Sequence, residues 1–158
     1  MKKIILISCT SKKRVVKAKA KDLYDKSPLF RKCLEYAELL KPDRIFILSA
    51  KHGLLDLEKE IKPYDVTLSS LTTSQQAKKP NLISLSTEER KSWAKKVLFQ
   101  IKKIADLEND KFIFLASYRY IEFLISGVSN YDAPMGSINM FNQQAWLKAR
   151  IAKLKKLK

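Results

Sequence analysis

Ile4-Ile5-Leu6-Ile7, followed at once by Ser8-Cys9, is the stretch whose reading decides the fold class. Four apolar residues in a row, three of them β-branched, leave no polar face. A strand of this kind needs cover on both sides, the condition of a parallel sheet packed between helices. Leu6-Ile7-Ser8-Cys9 also has the look of a lipoprotein signal. The apolar run is shorter than the about 7–15 residues of a secretory h-region, so a buried first strand is the better reading. Nowhere does the chain approach the ~20 apolar residues of a membrane span. A cytoplasmic protein with no membrane partner is expected.

Working outward, Ile45-Phe46-Ile47-Leu48 and Phe112-Ile113-Phe114-Leu115 repeat the pattern. Helical patterns separate the three runs. Ser27 can cap a helix that begins at Pro28, with Phe30, Cys33, Leu34 and Ala37 on one apolar face and a stop before Pro42. Ser86 and Glu89 form a capping box for a second helix, with Ala94, Val97, Leu98, Ile101 and Ala105 as its buried stripe. A short helix is expected after Ser117, using Ile121, Leu124 and Ile125. A basic C-terminal helix over about 138–158 would dock Phe141, Trp146, Ile151 and Leu154 on the body. The Ser-, Thr- and Gln-rich segment 68–84 reads as a long polar loop. The expectation is one α/β domain over residues 1–158, a three-layer α/β/α arrangement with a mainly parallel sheet.

The formal net charge is +16, with 32 Lys and Arg against 16 Asp and Glu. Such an excess repels itself, and a polyanion, nucleic acid or nucleotide first, is its natural partner. A solvated lysine-rich surface is the plainer reading. Cys9 and Cys33 are the only cysteines and His52 the only histidine, so neither a disulfide framework nor a zinc site is expected. No cofactor and no metal is expected.

Ligands of open parallel sheets bind beyond the carboxyl ends of the strands. Those ends here carry Ser8 to Lys13, Ser49 to Gly53, and Ala116 to Tyr118. Cys9 is either a nucleophile beside Lys12 and Lys13 or a small residue packed beneath a ligand. Lys12 and Lys13 either hold a phosphate or carboxylate or are a solvated charge run. His52 is either a general acid or base or a structural histidine, and Gly53 beside it suits a turn with positive φ. Pro63 stiffens Lys62 to Asp65, which would point Tyr64 and Asp65 into a pocket. Tyr24 and Tyr118 are candidates to stack on a base. Three glycines supply no G-x-G-x-x-G and no Walker A loop, and G-x-S-x-G is absent. An ordinary NTPase, dinucleotide-binding dehydrogenase or α/β-hydrolase is disfavoured.

The ordered blocks Leu6-Ile7-Ser8-Cys9 with Lys12-Lys13, Asp22-Leu23-Tyr24 with Ser27 and Phe30, Ile47 to Leu54, Pro63-Tyr64-Asp65 with Thr67-Leu68, and Leu115-Ala116-Ser117 with Tyr120 resemble a DUF6884-like family of small bacterial and phage proteins. Their order is distantly similar to that of the YaaA peroxide-stress proteins, which bind DNA. Cys9, Lys13, Ser27 and Phe30 also resemble the cysteine-lysine-serine motif in the lysine-transferring domain of archaeosine synthase, which implies handling of a modified purine base. The chain is much shorter than YaaA proteins. These resemblances and the strand-end residues together predict an enzyme acting on a nucleobase, by base modification or N-glycosidic bond chemistry. His52, Asp65 and Cys9 would be catalytic. Lys12, Lys13, Tyr24, Ser27, Ser49, Gly53, Tyr64, Ser117 and Tyr118 would bind substrate. The alternative is a non-catalytic, salt-sensitive nucleic-acid binder serving stress response, phage or defence.

Overall fold

The computed structural model describes residues 1–157; Lys158, the end of the expected C-terminal helix, lies outside them. Its strands are β1 (Lys3–Ser8), β2 (Ala18–Lys19), β3 (Arg44–Ser49), β4 (Gly53–Asp56), β5 (Glu60–Ile61), β6 (Val66–Thr67), β7 (Ile83–Ser84), β8 (Lys111–Leu115) and β9 (Tyr131–Asp132). Its helices are α1 (Ala20–Leu23), α2 (Pro28–Leu39), α3 (Thr73–Lys78), α4 (Thr87–Lys102), α5 (Tyr118–Ile121) and α6 (Met140–Lys156), with a 3₁₀ turn at Ile125–Gly127.

The main sheet has five strands in the order β4-β3-β1-β8-β9. The opening apolar run forms its central strand. Ile4 to Ile7 are all fully buried, so both faces of β1 are covered. Each such side chain contributes about 1.5–3 kcal/mol by leaving water. β1 pairs in parallel with β3 on one side, Ile5 opposite Ile45, and with β8 on the other, Ile5 opposite Ile113. Both neighbours are the two other runs read from the sequence. β9 extends β8 in parallel, and β4 turns back antiparallel on β3. The sheet is therefore mainly parallel, and Ser8, Ser49 and Leu115 end the three inner strands at one edge. Among the described residues no helix is long and apolar enough to cross a membrane.

The caps explain where the helices begin. Ser27 Oγ accepts from Phe30 N–H and Pro28 opens α2, with Phe30, Cys33 and Ala37 buried. Ser86 and Glu89 close a reciprocal capping box on α4. Asn139 caps α6 through Asn142 N–H. α6 packs along α2, where Tyr36 and Trp146 meet edge to face with centroids 5.7 Å apart.

Four local expectations change. Phe141 does not dock: it is 97% exposed, and α6 buries Gln143, Leu147 and Ile151, a strict i, i+4 stripe that leaves position 141 outside. Ala105 lies beyond the end of α4; Arg90 and Trp93 extend the buried stripe toward the N-terminus instead. The short helix after Ser117 closes at Ile121, and Leu124 is buried from the turn that follows. The polar segment 68–84 contains α3 and β7. α3 starts at a Thr72–Gln75 capping box and buries no residue, so no apolar period announces it.

Candidate active site

A cavity of about 280 Å³ opens where β1 and β8 end. Its wall includes Cys9 and Lys12 after β1, Ser27 at the start of α2, Thr67 of β6, and Ser117 and Tyr120 at α5; Met140 and Gln144 of α6 form its rim. The volume is close to the lower end of the ~300–1,000 Å³ usual for small-molecule sites. Small hydroxyl and thiol groups dominate because the parallel strands end together on Ser, Thr and Cys.

Cys9 is 95% buried and sits at the end of a hydrogen-bond chain. Ser69 N–H donates to Thr67 Oγ1 at 3.1 Å, Thr67 Oγ1 lies 3.4 Å from Tyr120 Oη, and Tyr120 Oη lies 3.3 Å from Cys9 Sγ. Since Thr67 already accepts from the backbone, its hydroxyl hydrogen is free for Tyr120. Tyr120 in turn has its own hydrogen for sulfur. Ala50 N–H points at the same sulfur from 3.4 Å. Burial raises the Tyr120 phenol far above its ordinary value, so it stays protonated and able to donate. Sγ is thereby the acceptor end of the chain.

Behind this wall stands an aromatic group. Tyr64 Oη hydrogen-bonds both Tyr24 Oη and, at 2.8 Å, Ser49 Oγ. Ser49 Oγ also accepts from His52 N–H at 3.0 Å, and Ser49 O accepts from Trp93 Nε1 at 2.8 Å. Burial, then the nearby Cys9 charge, raises the pKa of both Tyr24 and Tyr64. Lys13 lays its ammonium 4.5 Å above the Tyr64 ring centroid and 5.8 Å from that of Tyr24. Burial lowers the Lys13 pKa; attraction to Cys9 and Asp65 opposes the shift and repulsion by Lys79 adds to it. Lys13 is therefore a half-buried amine electrostatically tied to the thiol.

The structure divides the sequence candidates. Cys9, Lys12, Ser27 and Ser117 line the cavity, and Ser49, Tyr24, Tyr64 and Lys13 form the adjoining group. Asp65 is exposed, its charge reaching Lys13. Tyr118 points out, 56% exposed. Gly53, at φ +73°, makes the turn into β4, and a Cβ there would collide with Gln100 Oε1. His52 lines a different cavity, its ring edge-on to Tyr64 with centroids 5.5 Å apart. Tyr120 and Thr67 stand in the blocks that resemble the family and Ala50 in the strand-end cluster, but the sequence gives none of the three a role in the site. Tyr120 has a weak signal, lying three residues past Ser117, one turn along a short helix. Gln143 was missed too: 1% exposed, it donates to Ser117 Oγ at 3.2 Å and to Ile138 O at 3.0 Å. Among the described residues no three His, Cys, Asp or Glu side chains converge as metal ligands.

The two cysteines should differ sharply in reactivity. Cys33 faces the core from α2, and burial pushes its thiol up to about 12. Cys9 lines a cavity. Brief iodoacetamide treatment of the folded protein should add one carbamidomethyl group, at Cys9, with Cys33 labelled only after denaturation. Peptide mass spectrometry reads the site; equal labelling of both cysteines would contradict the assignment.

Fold and site together define a mixed α/β protein with a thiol–hydroxyl pocket at the carboxyl edge of its parallel strands. The chain belongs to the family of unknown function DUF6884, whose profile matches residues 4–149. Comparison with curated proteins and with solved structures finds no match.

Proposed function

We propose that this protein is an enzyme that modifies a nucleobase, carried by a nucleotide or by nucleic acid, with Cys9 as its nucleophile. The observation that carries the reading is Cys9 Sγ receiving two donors, Ala50 N–H and Tyr120 Oη, at the wall of a cavity of about 280 Å³. A purine or pyrimidine presents an electrophilic ring carbon joined by a double bond to nitrogen or carbon. The Cys9 sulfur adds to that carbon, forming the S–C bond. The π bond breaks and its electron pair moves to the ring. The ring atom that received the pair takes up the proton that the thiol gives up, so the addition balances. The hydroxyls of Ser27, Thr67 and Ser117 offer hydrogen bonds to the polar edge of the base. The three-layer arrangement is part of the same reading, because helices over both sheet faces leave the strand ends as the open edge. So are the resemblances to the YaaA proteins and to the cysteine-lysine-serine motif of archaeosine synthase, both of which concern nucleic acid or its bases. Incubation with nucleosides, nucleotides and short oligonucleotides, followed by structure determination, tests the reading.

A second reading rests on the charge. α6 carries Lys148, Arg150, Lys153, Lys155 and Lys156, and among the described residues only Lys155 is paired to an acid, Glu35 at 2.7 Å. Such a helix favours salt-sensitive, sequence-tolerant binding of polynucleotide, with or without catalysis. Affinity for a short duplex and a single strand should fall by roughly 10³-fold or more between about 50 and 200 mM salt if six or more phosphates are engaged. Fluorescence anisotropy across a salt series checks this; binding indifferent to salt, or none at low salt, removes the claim.

A further inference from the structure

A second cavity, of about 660 Å³, opens between the β3–β4 turn and β5. We propose that it binds a phosphate group, with Lys51, Lys59 and Lys62 supplying charge and the His52 ring supplying an N–H donor. This site is separate from the Cys9 cavity and stands whether or not that cavity takes a base.

The charge balance of the cavity comes first. Its acids are already engaged: Asp56 with Arg44 at 2.9 Å and Glu60 with Lys17 at 3.5 Å. Lys19 and Lys21 are both paired with Glu58. Among the described residues Lys51, Lys59 and Lys62 have no carboxylate within 4.0 Å, yet all three line one concavity. Like charges gathered in a concave surface focus a positive potential that an anion relieves.

The backbone that presents these groups is fixed in advance. His52 N–H donates to Ser49 Oγ, Gln100 Nε2 donates to His52 O at 3.4 Å, and Leu54 N–H donates to Gln100 Oε1 at 2.8 Å. Gly53 supplies the positive φ that lets the turn press against Gln100. Pro63 restricts Lys62 from the other side. Binding therefore orders side chains only.

His52 supplies the chemistry. Its Nε2 is buried with no hydrogen-bond partner among the described residues, an unsatisfied polar atom beside the three lysines. Burial, then repulsion by Lys51, Lys96 and Lys59, lowers the His52 pKa. Those lysines, from the turn, from α4 and from the β4–β5 connection, face the imidazole together with the Tyr64 ring. A bound phosphate reverses the local field and favours the charged ring.

His52 is the only histidine, so its imidazole gives a single set of NMR signals. Pyrophosphate, a nucleoside triphosphate and a short oligonucleotide are titrated separately at constant ionic strength, with chloride as the control. Saturable movement of the His52 signals and a raised His52 pKa are expected with at least one of them. Response to the oligonucleotide alone identifies backbone phosphate, and response to the small anions identifies nucleotide or free phosphate; either supports the site. Combining Lys51→Gln, Lys59→Gln and Lys62→Gln should weaken binding roughly tenfold or more. Lys59→Gln alone should act in the same direction, and Lys102→Gln, at the end of α4 and lining neither cavity, should leave the His52 response unchanged. Signals that ignore all three anions, that drift as they do with chloride, or that respond equally in the triple variant would overturn the proposal.

Discussion

Cys9→Ser is expected to lower turnover of a base substrate by on the order of 10³-fold or more while the protein remains folded. Serine is close to cysteine in shape, and its oxygen still accepts from Ala50 N–H and Tyr120 Oη, the two donors now on sulfur. What changes is nucleophilicity: a hydroxyl has no neighbouring base strong enough to ionise it. Tyr120→Phe removes one donor and the link to Thr67, leaving the sulfur and the Ala50 amide, so its effect should be smaller. Single-turnover kinetics on both variants, with thermal melts as the fold control, separate the roles. Full activity in folded Cys9→Ser would mean that the thiol is a packing residue beneath the ligand.

The largest loss of stability is expected from Arg90. Its guanidinium, 6% exposed, joins α4 to Glu122, whose side chain is 16% exposed, through Nε at 3.2 Å and Nη2 at 3.1 Å. It also donates to Leu85 O and Thr87 Oγ1. Arg90→Met leaves the Glu122 carboxylate largely buried without its cation and should cost about 3–5 kcal/mol. For a chain of this size that lowers the melting temperature by roughly 10 °C. Combining Arg90→Met with Glu122→Leu should recover much of the loss, since the penalty comes from the stranded charge. A change within about 2 °C in Arg90→Met would show that water reaches the pair.

The residues readable from the sequence are those whose local pattern has one physical solution. Ile4 to Ile7, Ile45 to Leu48 and Phe112 to Leu115 are apolar on both faces, and all three became parallel neighbours in the sheet. Ser27-Pro28 and the Ser86–Glu89 box start helices through local hydrogen bonds. β4 and β9 escaped because a short edge strand carries little pattern and takes its partner from the sheet. α3 escaped because a fully exposed helix needs no apolar face. Phe141 was misplaced because α6 offers two apolar stripes, and docking against α2 chose the one through Leu147 and Ile151.

For the site, the edge was legible and its internal wiring was not. Parallel pairing alone brings Cys9, Ser49 and Ser117 to one end of the sheet. That Tyr120 reaches sulfur depends on a single turn of α5, and Thr67 arrives on β6 from a distant part of the chain. The separation of His52 from the Cys9 cavity follows from the Tyr64 side chain, whose hydroxyl inserts between Tyr24 and Ser49 while its ring meets the imidazole. No spacing in the sequence encodes that insertion.

The most direct measurement is the structure of the protein crystallised with a panel of nucleosides and short oligonucleotides. The account predicts density for a heterocyclic base in the cavity bounded by Cys9, Thr67 and Tyr120, with a ring carbon in van der Waals contact with Sγ or bonded to it. Ligand density confined to the lysine face of α6, with that cavity holding only water, would contradict it.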